Sequence, residues 1–120
     1  MYFIVWILIG LMFVLVITRF IIPVTGVQMI TVTEVKERLK EKNTQFVDVR
    51  TPGEFKAKHS KPFINIPLQQ LSSKVDQLDK NKEVVLICQS GMRSMQAAKI
   101  LKKHGFKKIT NMKGGMNAWY

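Results

Sequence analysis

Cys88 is the one cysteine of a 120-residue chain, and it is followed by Gln89, Ser90, Gly91, Met92, Arg93 and Ser94. A solitary thiol has no intramolecular disulfide partner, so it is inert core packing, an intermolecular partner or a reactive group, and it suits a reducing compartment. Before it, Val84 to Ile87 is a continuous apolar run of the kind buried on both faces of a parallel sheet. After it, Ala97, Ala98, Ile100 and Leu101 form an apolar stripe on a predicted helix from Arg93 to His104. A loop between such a strand and a helix N-terminus turns its amides toward one point and makes an anion cradle. Loop N–H groups, the helix dipole and Arg93 then favour the thiolate of Cys88, which is the competent nucleophile. Gly91 permits the backbone angles that point amides inward, and Ser94 offers a hydroxyl to sulfur or loop. An inert cysteine at a strand end is the plainer alternative, and the company of Gly, Arg and Ser at a strand-to-helix junction weighs against it.

The elements that must position this loop read as alternating strands and helices. Thr31 and Glu34 form a capping signature for an amphipathic helix carrying Val32, Val35 and Leu39 on one face and ending near Lys42. Phe46 to Val49 suits a buried strand. Thr51-Pro52-Gly53-Glu54 then reads as N-cap, first-turn proline and capping glutamate. Ile64 to Ile66 supplies another strand, Leu68, Leu71, Val75 and Leu78 a helical segment, Gly105 a helix stop and Phe106 to Thr110 a last strand. This alternation predicts an α/β fold with an open parallel sheet, right-handed crossovers and a ligand site beyond the carboxyl ends of the strands, where Cys88 stands. Asp48 and Arg50 end a strand on the same side, in a supporting role.

Cys88-x-x-Gly91-x-Arg93-Ser94 after a Val-Val-Leu-Ile strand resembles the active-site loop of the rhodanese family. Asp48-Val49-Arg50-Thr51-Pro52-Gly53-Glu54-Phe55 is similar to the family's first signature. His59, Asn65-Ile66-Pro67 and the terminal Gly114-Gly115-Met116-Asn117-Ala118-Trp119 follow at the family's spacing, so the resemblance covers Met29 to Tyr120. It implies a sulfurtransferase in which Cys88 carries sulfane sulfur as a persulfide, with no metal or organic cofactor. Arg93 would balance charge on the donor, and the amides from Gln89 to Ser94, including those of Ser90, Gly91 and Met92, would hold the bound sulfur. Four residues separate Cys88 from Arg93, one fewer than in related phosphatase loops, so the smaller ring favours sulfur over phosphate. His59 is left outside the catalytic set. Ser60, Lys61, Pro62 and Phe63 depart from the family's Ile and Gly-Ala pattern and put the pocket rim in question.

Residues 1–22 read as a transmembrane helix, 23–28 as a linker and 29–120 as the domain. No charged side chain occurs from Met1 to Thr18, and 22 helical residues span roughly 33 Å against a hydrocarbon core of roughly 30 Å. The early Tyr2, Phe3 and Trp6 disfavour a cleaved signal peptide. Arg19, Lys36, Arg38 and Lys40 follow the apolar run, which places the domain on the cytoplasmic side of the cell membrane as a single-pass protein.

Lys and Arg number 19 against 8 Asp and Glu, a net charge of +11, and nothing acidic follows Glu83. This charge favours a small anionic sulfur donor, a protein persulfide or lipid headgroups; no aromatic-interleaved basic motif points to nucleic acid. Lys99, Lys102, Lys103, Lys107 and Lys108 belong to that basic face, whose default reading is simple solvation. Met92, Met95, Met112 and Met116 read as packing before a soft docking rim. A thiol would accept the sulfur. The competing function is a membrane-tethered binding module or persulfide carrier that recruits a partner protein.

Overall fold

The computed structural model describes residues 1–21 and 26–120, with side chains at all of these except 19–21. Five parallel strands, β1 (Val27–Ile30), β2 (Thr44–Asp48), β3 (Ile64–Asn65), β4 (Glu83–Ile87) and β5 (Ile109–Met112), lie in the order β1-β5-β4-β2-β3. The helices are α1 (Phe3–Ile21), α2 (Val32–Arg38), α3 (Pro52–Ala57), α4 (Leu68–Lys74) and α5 (Met92–Lys103), with single 3-10 turns at Val75–Gln77 and Gly115–Ala118. The α/β class and the parallel sheet flanked by helices agree with expectation.

Strand β4 is central, and its period of two divides the core. Val84, Leu86 and Cys88 face α4 and α5 together with Leu71, Ala97, Ala98 and Leu101. Val85 and Ile87 face the opposite layer, with Val32 and Val35 of α2 and Met112 and Met116 near the C-terminus. A continuous apolar run is thus what a strand covered on both faces requires. Of the four methionines from Met92 onward, Met112 and Met116 are core residues, whereas Met92 is exposed. Phe63 is also buried, edge-on to Phe46 at 5.3 Å and to Trp119 at 6.4 Å, so the departure at this position fills the α2 layer and does not line the loop.

Local signals set most boundaries. Thr51 accepts from the Glu54 amide while Glu54 accepts from the Thr51 amide, a complete capping box with Pro52 in the first turn. Thr31 caps α2 in the same way from one side, but α2 ends at Arg38, short of the expected Lys42. There Arg38 turns to Glu41 and to Glu83 of β4, and Thr44 donates to Glu41 at 2.7 Å, closing a turn where the helix would have continued. The last strand begins at Ile109 and not Phe106. Gly105 adopts φ +84°, and the Phe106 amide bonds back to the Leu101 carbonyl at 3.1 Å, so Phe106 completes the helix stop.

The linker expected over 23–28 is shorter at its far end, because Val27 and Gln28 already pair with Ile109 and Thr110 as strand β1. An edge strand with one buried residue carries no readable alternation. Residues 22–25 lie outside the described residues. Among the described residues, no helix is long and apolar enough to cross a membrane. The transmembrane helix expected over 1–22 overlaps α1, whose side chains are described only as far as Thr18. Those of Phe3 to Ile17 that are large and apolar are all exposed.

Candidate active site

Cys88 follows the carboxyl end of the central strand, and its sulfur is wholly buried under the loop that leads into α5. The Gly91 amide donates to Sγ at 2.9 Å, and the Ser94 hydroxyl lies 3.3 Å from Sγ. Gly91 reaches this geometry at φ +99°, a left-handed conformation that costs a Cβ-bearing residue free energy. Ser94 also donates to the Gly91 carbonyl at 3.0 Å, so one hydroxyl fastens the loop to the first turn of α5 beside the sulfur. Asn111 on β5 adds a longer bond to the same carbonyl at 3.4 Å.

Arg93 is paired within the domain: its two terminal nitrogens donate to the two carboxylate oxygens of Glu54 on α3 at 2.7 and 2.9 Å. The Arg93 hydrogen bonds hold the Glu54 carboxyl down to about 2, against partial burial and with help from Thr51. Glu54 in turn raises the Arg93 guanidinium further above its ordinary value. Glu54 was legible only as a capping residue, and its second duty has no local signature.

Asp48 and Arg50 form a buried ion pair, with Arg50 Nε 3.0 Å and Nη2 2.8 Å from the Asp48 carboxylate. Arg50 also donates to the Lys58 carbonyl at 2.6 Å and to the Gln89 side chain at 3.3 Å. Asn65 donates to the Asp48 and Arg50 carbonyls at 3.0 and 2.9 Å. The pair therefore fastens the end of α3, β3 and the Cys88 loop together. Gln89 spends its side chain here and on Asn117, to which it donates at 2.6 Å, while Ser90 on the loop and Met92 at the start of α5 lie exposed.

The C-terminal turn buttresses the loop from behind. Met116 and Asn117 donate their amides to the Cys88 and Gln89 carbonyls at 2.8 and 3.0 Å. A Cβ on Gly115 would fall on the Cys88 carbonyl and within 2.6 Å of the Gln89 backbone, so only glycine lets the turn approach. Beside the loop, Arg50, Glu54, Ala57, Lys58, Gln89 and Met116 line a cavity of about 290 Å³. A second cavity, about 350 Å³, opens near Thr44, Phe46 and Ile64 and does not adjoin the sulfur. No group of three or more metal-ligating side chains occurs among the described residues.

Residues 31–120 match the family described as Rhodanese-like domain. The chain belongs to the rhodanese-like domain family. A Bacillus subtilis protein named putative sulfurtransferase YtwF is 36% identical over 94 residues, spanning 78% of this chain and 90% of that one. The thiosulfate sulfurtransferase GlpE of Vibrio cholerae is 28% identical, with 76% and 86% of the two chains covered. A crystal structure of a rhodanese-like domain protein from Staphylococcus aureus superposes with a TM-score of 0.72 at 32% identity, covering 78% of this chain and 91% of the other. The rhodanese-like domain thus has sulfurtransferases among its relatives, and its loop carries the only cysteine.

Proposed function

We propose that this rhodanese-like domain moves sulfane sulfur by double displacement through a Cys88 persulfide. The observation that carries this reading is the 2.9 Å Gly91 amide on Cys88 Sγ, in a loop fixed by Ser94 and the C-terminal turn. The Cys88 thiolate attacks the outer sulfur of thiosulfate or of a low-molecular-weight or protein persulfide. The donor's S–S bond breaks, its electron pair leaves with sulfite or with a thiolate, and Cys88 keeps the outer sulfur as a persulfide anion. An acceptor thiolate then attacks that sulfur and releases the Cys88 thiolate. Loop amides stabilise the charge on the bound sulfur in both halves. Both steps move electron pairs between sulfur atoms, so neither calls on a metal or organic cofactor.

Burial of Cys88 supports a second reading, a persulfide carrier that yields its sulfur to a docked protein acceptor more readily than to small thiols. A Bacillus subtilis relative, 37% identical over 79 residues, is named a putative sulfur carrier. We further propose that α1 lodges in the cell membrane with the domain on the cytoplasmic side. The support is an uncharged run from Met1 to Thr18, its exposed apolar side chains, and a helix of 19 residues, roughly 29 Å long.

Intact-mass spectrometry of the full chain in detergent, before and after thiosulfate or glutathione persulfide, tests the chemistry. One added sulfur, about 32 Da, that is removed by cyanide and absent from Cys88→Ser is the expected result. A parent protein that no donor loads would sink the sulfurtransferase reading for those donors. Loading that only a protein acceptor discharges favours the carrier.

A further inference from the structure

Six of the lysines that the proposed chemistry leaves unused gather at one end of the sheet. Because every strand is parallel, all five amino ends lie together, and the Cys88 loop lies at the other end. Lys82 directly precedes β4, and Lys107 and Lys108 directly precede β5. The Lys107 amide bonds to the Lys80 carbonyl at 3.3 Å, which joins the two turns. Helix α5 runs back from the Cys88 loop and delivers Lys102 and Lys103 in its last turn to the same end. All six of these lysines are exposed. Of the acids nearby, Glu41 and Glu83 are already paired with Arg38, Glu83 lies 3.5 Å from Lys108, and Asp79 caps its own turn at the Asn81 amide.

A second observation gives this end a direction. The chain coming from α1 enters the domain at Gly26, whose added Cβ would stand 2.8 Å from Lys102 Nζ. The covalent chain from Ile21 to Gly26 reaches at most roughly 18 Å even when fully extended. The chain from α1 therefore joins the domain at the lysine end, and the Cys88 loop lies at the far end of the sheet, about 17 Å from that junction.

We propose that the amino-end face of the sheet, centred on Lys102, Lys103, Lys107 and Lys108, rests on anionic phospholipid headgroups and so points the Cys88 loop away from the bilayer. This inference rests on the reading of α1 as a membrane anchor. The matching chemistry is a dense layer of phosphate and carboxylate charge, which attracts juxtamembrane lysines within about a Debye length of the surface. The consequence is orientation: a face held by charge keeps the cavity beside Gln89 open to soluble sulfur donors and acceptors.

The test is acetylation footprinting of the full chain, reconstituted in vesicles of pure phosphatidylcholine or of phosphatidylcholine with 30 mol% phosphatidylserine, read lysine by lysine by mass spectrometry. In the anionic vesicles at low salt, Lys102, Lys103 and Lys107 should react about threefold or more slowly than in the neutral ones, and 0.5 M salt should abolish the difference. Lys58, whose carbonyl accepts from Arg50, and Lys113, which directly follows β5, lie at the other end and should react equally in both. The triple variant Lys102→Gln, Lys103→Gln, Lys107→Gln alters only exposed side chains and should remove the lipid dependence of Lys80 and Lys108. Equal rates in both lipids, or protection of both ends alike, would overturn the proposal. Flotation with the neutral vesicles reports on α1 separately: a chain that does not float there refutes the anchor, and absence of protection on added anionic vesicles then refutes the docking face as well. Equal protection by a short RNA in lipid-free detergent would reassign the face to nucleic acid.

Discussion

Glu54 accepts at one carboxylate oxygen from the Thr51 amide at 3.1 Å and from Arg93 at 2.7 Å, so a single side chain both starts α3 and holds the arginine of the sulfur loop. Its carboxyl sits at about 2 in the folded state against an ordinary 4.5, so its contribution is fully present above about pH 4.5 and is lost as pH falls through about 2. Glu54→Gln should therefore cost about 1 kcal/mol at neutral pH, the scale of a partly exposed ion pair, and should flatten the acid limb of stability between pH 4.5 and 2. Urea unfolding as a function of pH checks this, and an unchanged acid limb would contradict the assignment. The buried Asp48–Arg50 pair is a different case. Removing one partner strands a desolvated charge, so Asp48→Ala should cost about 3 to 5 kcal/mol in denaturant unfolding, well beyond the effect at Glu54.

At the scale of elements, the sulfur loop is held between two segments far from it in sequence, α3 through Glu54 and the C-terminal turn through Met116 and Asn117. The turn approaches closely because Gly115 has no side chain and adopts φ +58°. Gly115→Ala adds a Cβ onto the Gln89 backbone and a backbone strain of about 1 to 3 kcal/mol. Both a lower Tm and at least a tenfold loss in the rate of persulfide loading are expected. Gly53→Ala is the control, since nothing lies within 4 Å of its added Cβ and its backbone is unstrained. Similar losses in the two variants would show that the close approach of the turn is not what matters.

For the molecule as a whole, α1 carries exposed apolar side chains along the length described, while the domain buries its own core without it. A chain with that division should float with neutral phosphatidylcholine vesicles and resist extraction by alkaline carbonate. Recovery of most of the protein in the carbonate supernatant would count against a bilayer location for α1. The parallel sheet sets the ends apart: the sulfur site lies at the carboxyl ends of the strands, and the chain from α1 enters at the amino ends.

Read alone, the sequence determines whatever depends on neighbours along the chain. The capping residues Thr31 and Thr51, the buried run of β4, the stripe of α5 and the loop from Cys88 to Ser94 all follow from local hydrogen bonding and from periods of two or 3.6 residues. Helix ends were less legible, because Arg38 leaves α2 for Glu83, which is 45 residues away. Only the tertiary structure decides the rest: that Val27 to Ile30 is a strand beside β5, that Arg93 meets Glu54, and that Gly115 lies against the Cys88 backbone. The reason is physical. Those contacts join segments whose separation along the chain carries no periodic trace, and they exist because the β1-β5-β4-β2-β3 order brings the loops at the carboxyl ends of distant strands to one place.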